Sequence, residues 1–362
     1  DAESVWNEHR ESTRGRDLDI TGLSYQILQD QGPQQWPMPQ GAKAGQARLY
    51  TDGQFQTATG KAHFSAMRFE PVAEPRDERY PFSFNTGRLR DQWHGMSRTG
   101  TVPRLFNLED EPLLAMHPCD LRHRGLSSGD LARVANARGS IVVRVAERPG
   151  LKKGRAWMPM HWGSQFMNSP GVNALACDAT DPYSKQPELK HAAVQIARVD
   201  LPWPLAILRR CADQGEALAL LDAARTRLAD YPYATIGLYG RQSPLVVFRA
   251  ATAEPLDDSA IAELDSVFGL ADEAGAIVYA DRTRHIAKKA VAEAGRLVGV
   301  RLCGESLAQG WLKQAMAEDE LDASLIRLAL APSDKPPRSV VARNIVCKCA
   351  DASDVQIGQQ LA

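Results

Sequence analysis

Residues 85–100, Asn-Thr-Gly-Arg-Leu-Arg-Asp-Gln-Trp-His-Gly-Met-Ser-Arg-Thr-Gly, gather the chemistry most concentrated in this chain. Gly87 lets a backbone approach a ligand closely, while Asn85, Thr86, Gln92 and Thr99 offer amides and hydroxyls for hydrogen bonds. Arg88, Arg90 and Arg98 can meet a phosphate in bidentate fashion, and the imidazole of His94 beside Trp93 can donate to a phosphate or a heterocycle. Such a set suits a phosphorylated, nucleotide-like cofactor; composition alone fits a polar surface loop equally well.

Further residues could take part. Met158-Pro159-Met160-His161-Trp162-Gly163 places a second imidazole next to an indole. Lys185 and Lys190 read either as solvated lysines or as point charges near a pyrophosphate. The six cysteines are scattered except for Cys347 and Cys349. Two thiols separated by one residue serve clusters, zinc or nothing, and a two-iron cluster needs four ligands, so this chain cannot complete such a site alone.

The elements that must position these residues follow from periodicity. Tyr80–Asn85 alternates as a strand running into the polar loop, Ser127–Asp130 is a turn, and Leu131–Ala135 with Ile141–Val145 make two strands joined at Arg138-Gly139. Residues 81–200 therefore read as an all-β barrel with a helix or two. Upstream, an amphipathic helix is expected around Val5, Trp6 and His9, then a Pro- and Gly-rich connector over 32–60 with short strands at Leu49-Tyr50, Phe55 and 62–64. Downstream, Leu205–Asp230 has helical spacing, 235–239 and 245–249 read as strands, and 258–268 reads as a helix capped by Asp258 or Ser259. Strands at 276–280, 286–291 and 297–303 and a helix at 311–317 precede a Pro-rich linker at 332–337. The expected division is 1–80, 81–200, 205–335 and 340–362.

With 362 residues, 44% hydrophobic, 24% charged and a net charge of −1, the chain has the composition of a globular protein of more than one core. Nothing in the charge balance suggests nucleic-acid binding, and no apolar run reaches the length of a membrane span. The start lacks Met and a signal-like apolar stretch, so we expect a piece of a longer protein, cytoplasmic, with reduced thiols.

In its order of residues, strand, then Asn85-Thr86-Gly87-Arg88, then Gln92-Trp93-His94 and Thr99, this chain resembles the C-terminal domain of the molybdopterin oxidoreductases, specifically their nitrate reductase branch. The likeness continues through Met116–Asp120, Gly125–Val134, Arg138-Gly139, Met158–Gly163, Val172–Leu175 and Asp178–Lys190. Upstream, Asn7–Arg10, Gly15–Tyr25, Gly32–Pro37 and Thr59–Ala62 resemble the end of the catalytic domain of assimilatory nitrate reductases.

The resemblance implies a mixed α/β multidomain chain: a double-psi β-barrel followed by small α+β modules. It implies molybdenum bis-molybdopterin guanine dinucleotide as cofactor, with Asn85, Thr86, Gly87, Arg88, Gln92, Trp93, His94, Thr99, Asn173 and Lys190 as contacts. His161 and Trp162 would be either core residues or part of a substrate funnel. The molybdenum ligand and a 4Fe-4S cluster would lie outside the chain, leaving a fragment inactive on its own. Arg343–Ser353 resembles the opening of a bacterioferritin-associated-ferredoxin-like domain, with Cys347 and Cys349 as the first ligands of a 2Fe-2S cluster. The implied partners are nitrate and an electron-donor protein, an NADH-dependent flavoprotein subunit, ferredoxin or flavodoxin, with neither nucleic acid nor membrane. Two alternatives remain: another molybdopterin oxidoreductase such as a formate dehydrogenase, or a non-catalytic module that docks cofactor and partner.

Overall fold

Every second residue of six short strands points into one apolar interior, as strand geometry requires. The strands are β1 (Phe82–Gly87), β2 (Leu113–Met116), β3 (Leu131–Ala135), β4 (Ser140–Glu147), β5 (Arg155–Pro159) and β6 (Ala192–Arg198). Phe82 and Phe84, Leu114 and Met116, Ala132 and Val134, Ile141, Val143 and Val145, Ala156 and Met158, and Val194 and Ile196 fill the centre. The strands close into a barrel in the order β1-β5-β2-β4-β3-β6. Two pairings, β1 with β5 and β2 with β4, are parallel; the others are antiparallel. Parallel neighbours need crossovers, and one of these carries the helix α3 (Pro118–His123), capped by His117 Nδ1 accepting from Cys119 N–H. The barrel expected over 81–200, with its Arg138-Gly139 hairpin, is present.

This is a computed structural model, and it describes residues 1–66, 68–241, 243–271, 274–318, 326–336, 345–347 and 352–361. The chain divides into two compact units, Asp1–Glu70 and Pro71–Ala362. The first contains α1 (Ala2–Ser12), capped by Asp1, and α2 (Tyr25–Gln31), capped by Ser24. Its small core is Ile20, Leu23 and Met38 with Trp6, Ile27 and Leu28 against it. Asp19 Oδ1 accepts from both the amide and hydroxyl of Thr21, and Met38 N–H donates to the Asp19 carbonyl at 2.7 Å. The strands expected at 49–64 do not form. Tight turns take up that backbone instead, Gly53 N–H to Tyr50 O and Gly60 N–H to Thr57 O, and no neighbouring strand offers a ladder.

In the second unit the barrel is followed by a six-stranded antiparallel sheet, with order β10-β11-β12-β7-β9-β8. Its strands are β7 (Trp203–Arg210), β8 (Tyr233–Tyr239), β9 (Leu245–Thr252), β10 (Ala276–Asp281), β11 (Ile286–Glu293) and β12 (Arg296–Cys303). Among the described residues, three helices accompany it: α4 (Gln214–Arg225), α5 (Asp258–Val267) and α6 (Gln309–Glu318). The expectation of a helix from Leu205 is corrected, since Leu205–Arg210 is strand and the helix begins at Gln214. Leu205 and Ile207 join the core shared with α4, whereas Ala206 and Leu208 join the core shared with α6. A strand covered on both faces has no polar alternation, and its apolar run imitates a helix. The cap of α5 is Asp257, one residue earlier than expected, its carboxylate accepting from Ala260 N–H.

Near the C-terminus the short strands β13 (Ile345–Cys347) and β14 (Ala352–Ser353) pair antiparallel. The side chain of Cys347, and Cys349 altogether, lie outside the described residues. Among the described residues, no helix is long and apolar enough to cross a membrane.

Candidate functional site

Strand β1 delivers the polar loop, and the way that loop is tied explains where its side chains go. Thr86, at the end of the strand, donates its hydroxyl to the Leu189 carbonyl at 2.9 Å, and its own carbonyl accepts from Lys190 Nζ at 3.1 Å. These two bonds draw the segment before β6 alongside β1. Gly87 then passes directly under the Trp157 indole: a Cβ there would stand 2.6 Å from the ring nitrogen. The close approach expected of Gly87 is therefore made to a side chain of β5.

Beyond Gly87 the loop turns through residues with left-handed backbone. His94 has φ 45° and Met96 φ 60°. For residues with a Cβ such angles cost on the order of 1–3 kcal/mol each, and they persist only where surroundings hold them. Met96 is buried and its N–H donates to Trp93 O at 2.9 Å. Trp93 N–H in turn donates to Thr99 Oγ1 at 3.2 Å. Gln92 is buried, its amide donating to Leu105 O at 2.9 Å while its Oε1 has no hydrogen-bond partner among the described residues.

Together β1, the loop, the turn Gly171–Leu175 and the segment before β6 enclose a cavity of about 250 Å³. Thr86, His94, Asn173 and Lys190 contribute its polar wall; Phe84, Met160, Val172 and Leu189 supply apolar surface. Four residues singled out in the sequence thus meet from three distant segments. Arg88 stands apart, its guanidinium stacked 5.2 Å from the centre of the exposed Trp93 ring, which also meets His94 edge-on at 4.6 Å. Asn85 is exposed near the end of β1, and Thr99 and Gln92 brace the loop from outside the cavity.

His161 and Trp162 are both buried, at 1% exposure each, so neither reaches an open surface of this chain. The Trp162 indole nitrogen has no hydrogen-bond partner, and its carbonyl blocks the place where a Cβ on Gly171 would go, at 1.9 Å. His191, not anticipated, also lines the cavity. Its Nε2 lies 2.8 Å from the Glu74 carbonyl and its Nδ1 3.0 Å from Ser83 Oγ. Since a carbonyl only accepts, Nε2 carries a proton, and the serine hydroxyl, able to donate or accept, meets Nδ1. Its position next to Lys190, at the mouth of β6, was the available signal.

Among the described residues, no group of three or more His, Cys, Asp or Glu is placed to hold a metal ion. The polar groups around the cavity are instead those suited to an organic, partly charged ligand: an ammonium, imidazole and amide, with the Thr86 hydroxyl oxygen left as an acceptor, facing apolar walls. A phosphorylated heterocycle of the kind carried by a pterin dinucleotide fits that set.

Comparison with known proteins agrees. Residues 82–193 match the family model described as the molydopterin dinucleotide binding domain, bounds that run from the start of β1 to the start of β6 and contain the residues lining the cavity. Nitrate reductases are homologous to part of the chain. That of Klebsiella oxytoca is 34% identical over 248 residues, covering 63% of this chain and 28% of its own length. That of Synechocystis sp. is 39% identical over 203 residues (55% and 28%), and that of Shewanella frigidimarina 32% over 211 residues (51% and 22%). The chain spans roughly a quarter of the length of these curated relatives. Acetylene hydratase from Pelobacter acetylenicus overlaps 33% of this chain and 18% of its own at 18% identity, with a TM-score of 0.28, too slight to bear on function.

Proposed function

We propose that this chain is part of a molybdenum-dependent, assimilatory nitrate reductase, and that its barrel holds one end of the molybdopterin guanine dinucleotide. The observation that carries the reading is the cavity at the end of β1, where Thr86, His94, Asn173 and Lys190 converge inside residues 82–193. Lys190 supplies positive charge for a phosphate, Asn173 and Thr86 offer hydrogen bonds to a heterocycle or ribose, and Leu189 and Val172 give an apolar surface. When bound, the molybdenum cofactor supplies the two-electron reduction of nitrate to nitrite. The protein's part here is to bind, orient and shield. The double-psi course of the barrel, and Cys347 with Cys349 as first ligands of a 2Fe-2S cluster fed by a donor protein, belong to the same proposal and rest on the sequence resemblance.

The test is elemental analysis for molybdenum in the full-length parent protein purified from a cofactor-competent host, paired with nitrite formation using reduced viologen as donor. Molybdenum together with nitrite is the expected result. Molybdenum without nitrite moves the substrate to another member of the class, such as formate; absence of molybdenum overturns the cofactor reading.

A further inference from the structure

One buried imidazole holds the polar loop at two points. Leu89 N–H donates to His161 Nε2 at 2.8 Å, and His161 Nδ1 lies 2.7 Å from the His94 carbonyl. The carbonyl can only accept, so Nδ1 bears the proton; the amide can only donate, so Nε2 is bare. A single neutral tautomer satisfies both, and His161 is 1% exposed. Between the two points the chain travels from the end of β1 to His94, whose left-handed backbone (φ 45°) and cavity-facing side chain begin the wall that Gly95 continues.

We propose that His161 is the positioning residue of the cofactor loop: its neutral ring spans Leu89 and His94 and so fixes His94 and Gly95 at the cavity wall. The purpose of the clasp rests on the cofactor reading above, whereas the clasp itself stands on geometry. It works in one protonation state. A proton added at Nε2 turns an acceptor into a donor facing the Leu89 N–H, and that end must open. Burial pushes the His161 pKa below its ordinary 6.5; the nearby positive charge of Arg88 and His94 acts in the same direction, and the His94 carbonyl opposes it. The neutral form is therefore favoured in the folded chain, and the stability it lends is present above 6.5 and lost as pH falls through the lower folded value.

Three readouts test this in the full 362-residue chain. Ring-nitrogen NMR shifts of His161 at neutral pH should report a protonated Nδ1 and a bare Nε2; the opposite tautomer overturns the proposal whether or not any variant folds. Amide hydrogen exchange should then compare the unsubstituted chain with His161→Gln and His161→Phe. Glutamine carries an acceptor and a donor on one side chain, so it should keep Leu89 protection within about threefold, while phenylalanine should lose about tenfold or more. After correction for intrinsic rates, Leu89 protection in the unsubstituted chain should fall on acidification, and that of His161→Gln should not. Equal protection in all three chains, or a glutamine variant as loose as phenylalanine, overturns the clasp. Guanosine diphosphate, titrated by calorimetry, separates the two readings: about tenfold weaker binding by His161→Phe alone supports both. No binding by the unsubstituted chain, with the exchange pattern intact, overturns the cofactor reading and leaves the clasp standing.

Discussion

Lys190 and Arg88 have opposite fates in the structure although both were expected to meet a pyrophosphate. Lys190 spends one N–H on the Thr86 carbonyl and, lining the cavity, keeps two for a ligand; Arg88 lies over the Trp93 ring outside it. Replacing Lys190 with Met keeps the aliphatic stem and removes the charge. In the full-length parent protein we expect about a tenfold loss of molybdenum retained after gel filtration, in line with about 1.5–3 kcal/mol for a charged hydrogen bond, and a thermal midpoint lowered by no more than the loss of the one exposed bond to the Thr86 carbonyl. Arg88→Ala forfeits a cation–π contact worth about 0.5–1 kcal/mol and should cost several times less retention by the same assay. Thr86 and His94 were legible as hydrogen-bonding side chains in a polar loop, whereas Asn173 and Lys190 were reached through the family resemblance. The sequence concealed the clasp, because nothing in Met160-His161-Trp162 says that a buried imidazole will bond to two backbone groups some seventy residues away, at Leu89 and His94.

At the level of elements, three of the six barrel strands, β1, β3 and β4, were readable from alternation and from the turns at Ser127–Asp130 and Arg138-Gly139, whereas β2, β5 and β6 were not read as strands and β7, covered on both faces, imitated a helix. The segment leading into β2 joins barrel to sheet through buried charge. Asp110 Oδ2 sits 2.6 Å from both Arg249 Nη2 on β9 and Lys313 Nζ on α6. Its neighbour Glu111 accepts from the Tyr233 hydroxyl of β8 at 2.7 Å. Burial alone would raise the Asp110 pKa, but the two cations outweigh it and hold the carboxyl well below its ordinary 3.8. A depressed carboxyl contributes stability that is complete above 3.8 and is lost as pH falls below it. Asp110→Asn leaves two buried cations short of their counter-charge and should cost about 3–5 kcal/mol in urea unfolding. It should also flatten the acid limb of the stability profile. An unchanged acid limb would show that Asp110 is not the titrating group. Such a cluster had no local signature, its members being contributed by four separate elements.

Within the second unit as a whole, barrel and sheet share one apolar core, running from Phe84 and Met116 through Phe106 and Phe166 to Ile236 and Phe248. Phe106 is wholly buried, 6.0 Å from the Phe166 ring, and its edge lies against the backbone of Gly237 in β8, where a Cβ would stand 3.2 Å away. The Phe166–Asn168 segment bonds along β8 through Ile236 N–H to Phe166 O and Asn168 N–H to Ala234 O, covering a strand that ends the sheet. Phe106→Ala should cost about 3–5 kcal/mol and lower amide protection in β3–β4 and β8–β9 together; loss confined to one of the two would show separate cooperative bodies. The change of texture near Pro202 marks where strand order restarts, and nothing in the residues themselves revealed that a common core crosses it. The pairing of β1 with β6, Phe82 opposite Val194, carries a further consequence for biosynthesis. A ribosome must release Ala192–Val194 before the first strand of the barrel can find its last neighbour, so every shorter nascent chain carries β1 with at least one ladder edge bare, a window in which a chaperone or a wrong strand can bind it.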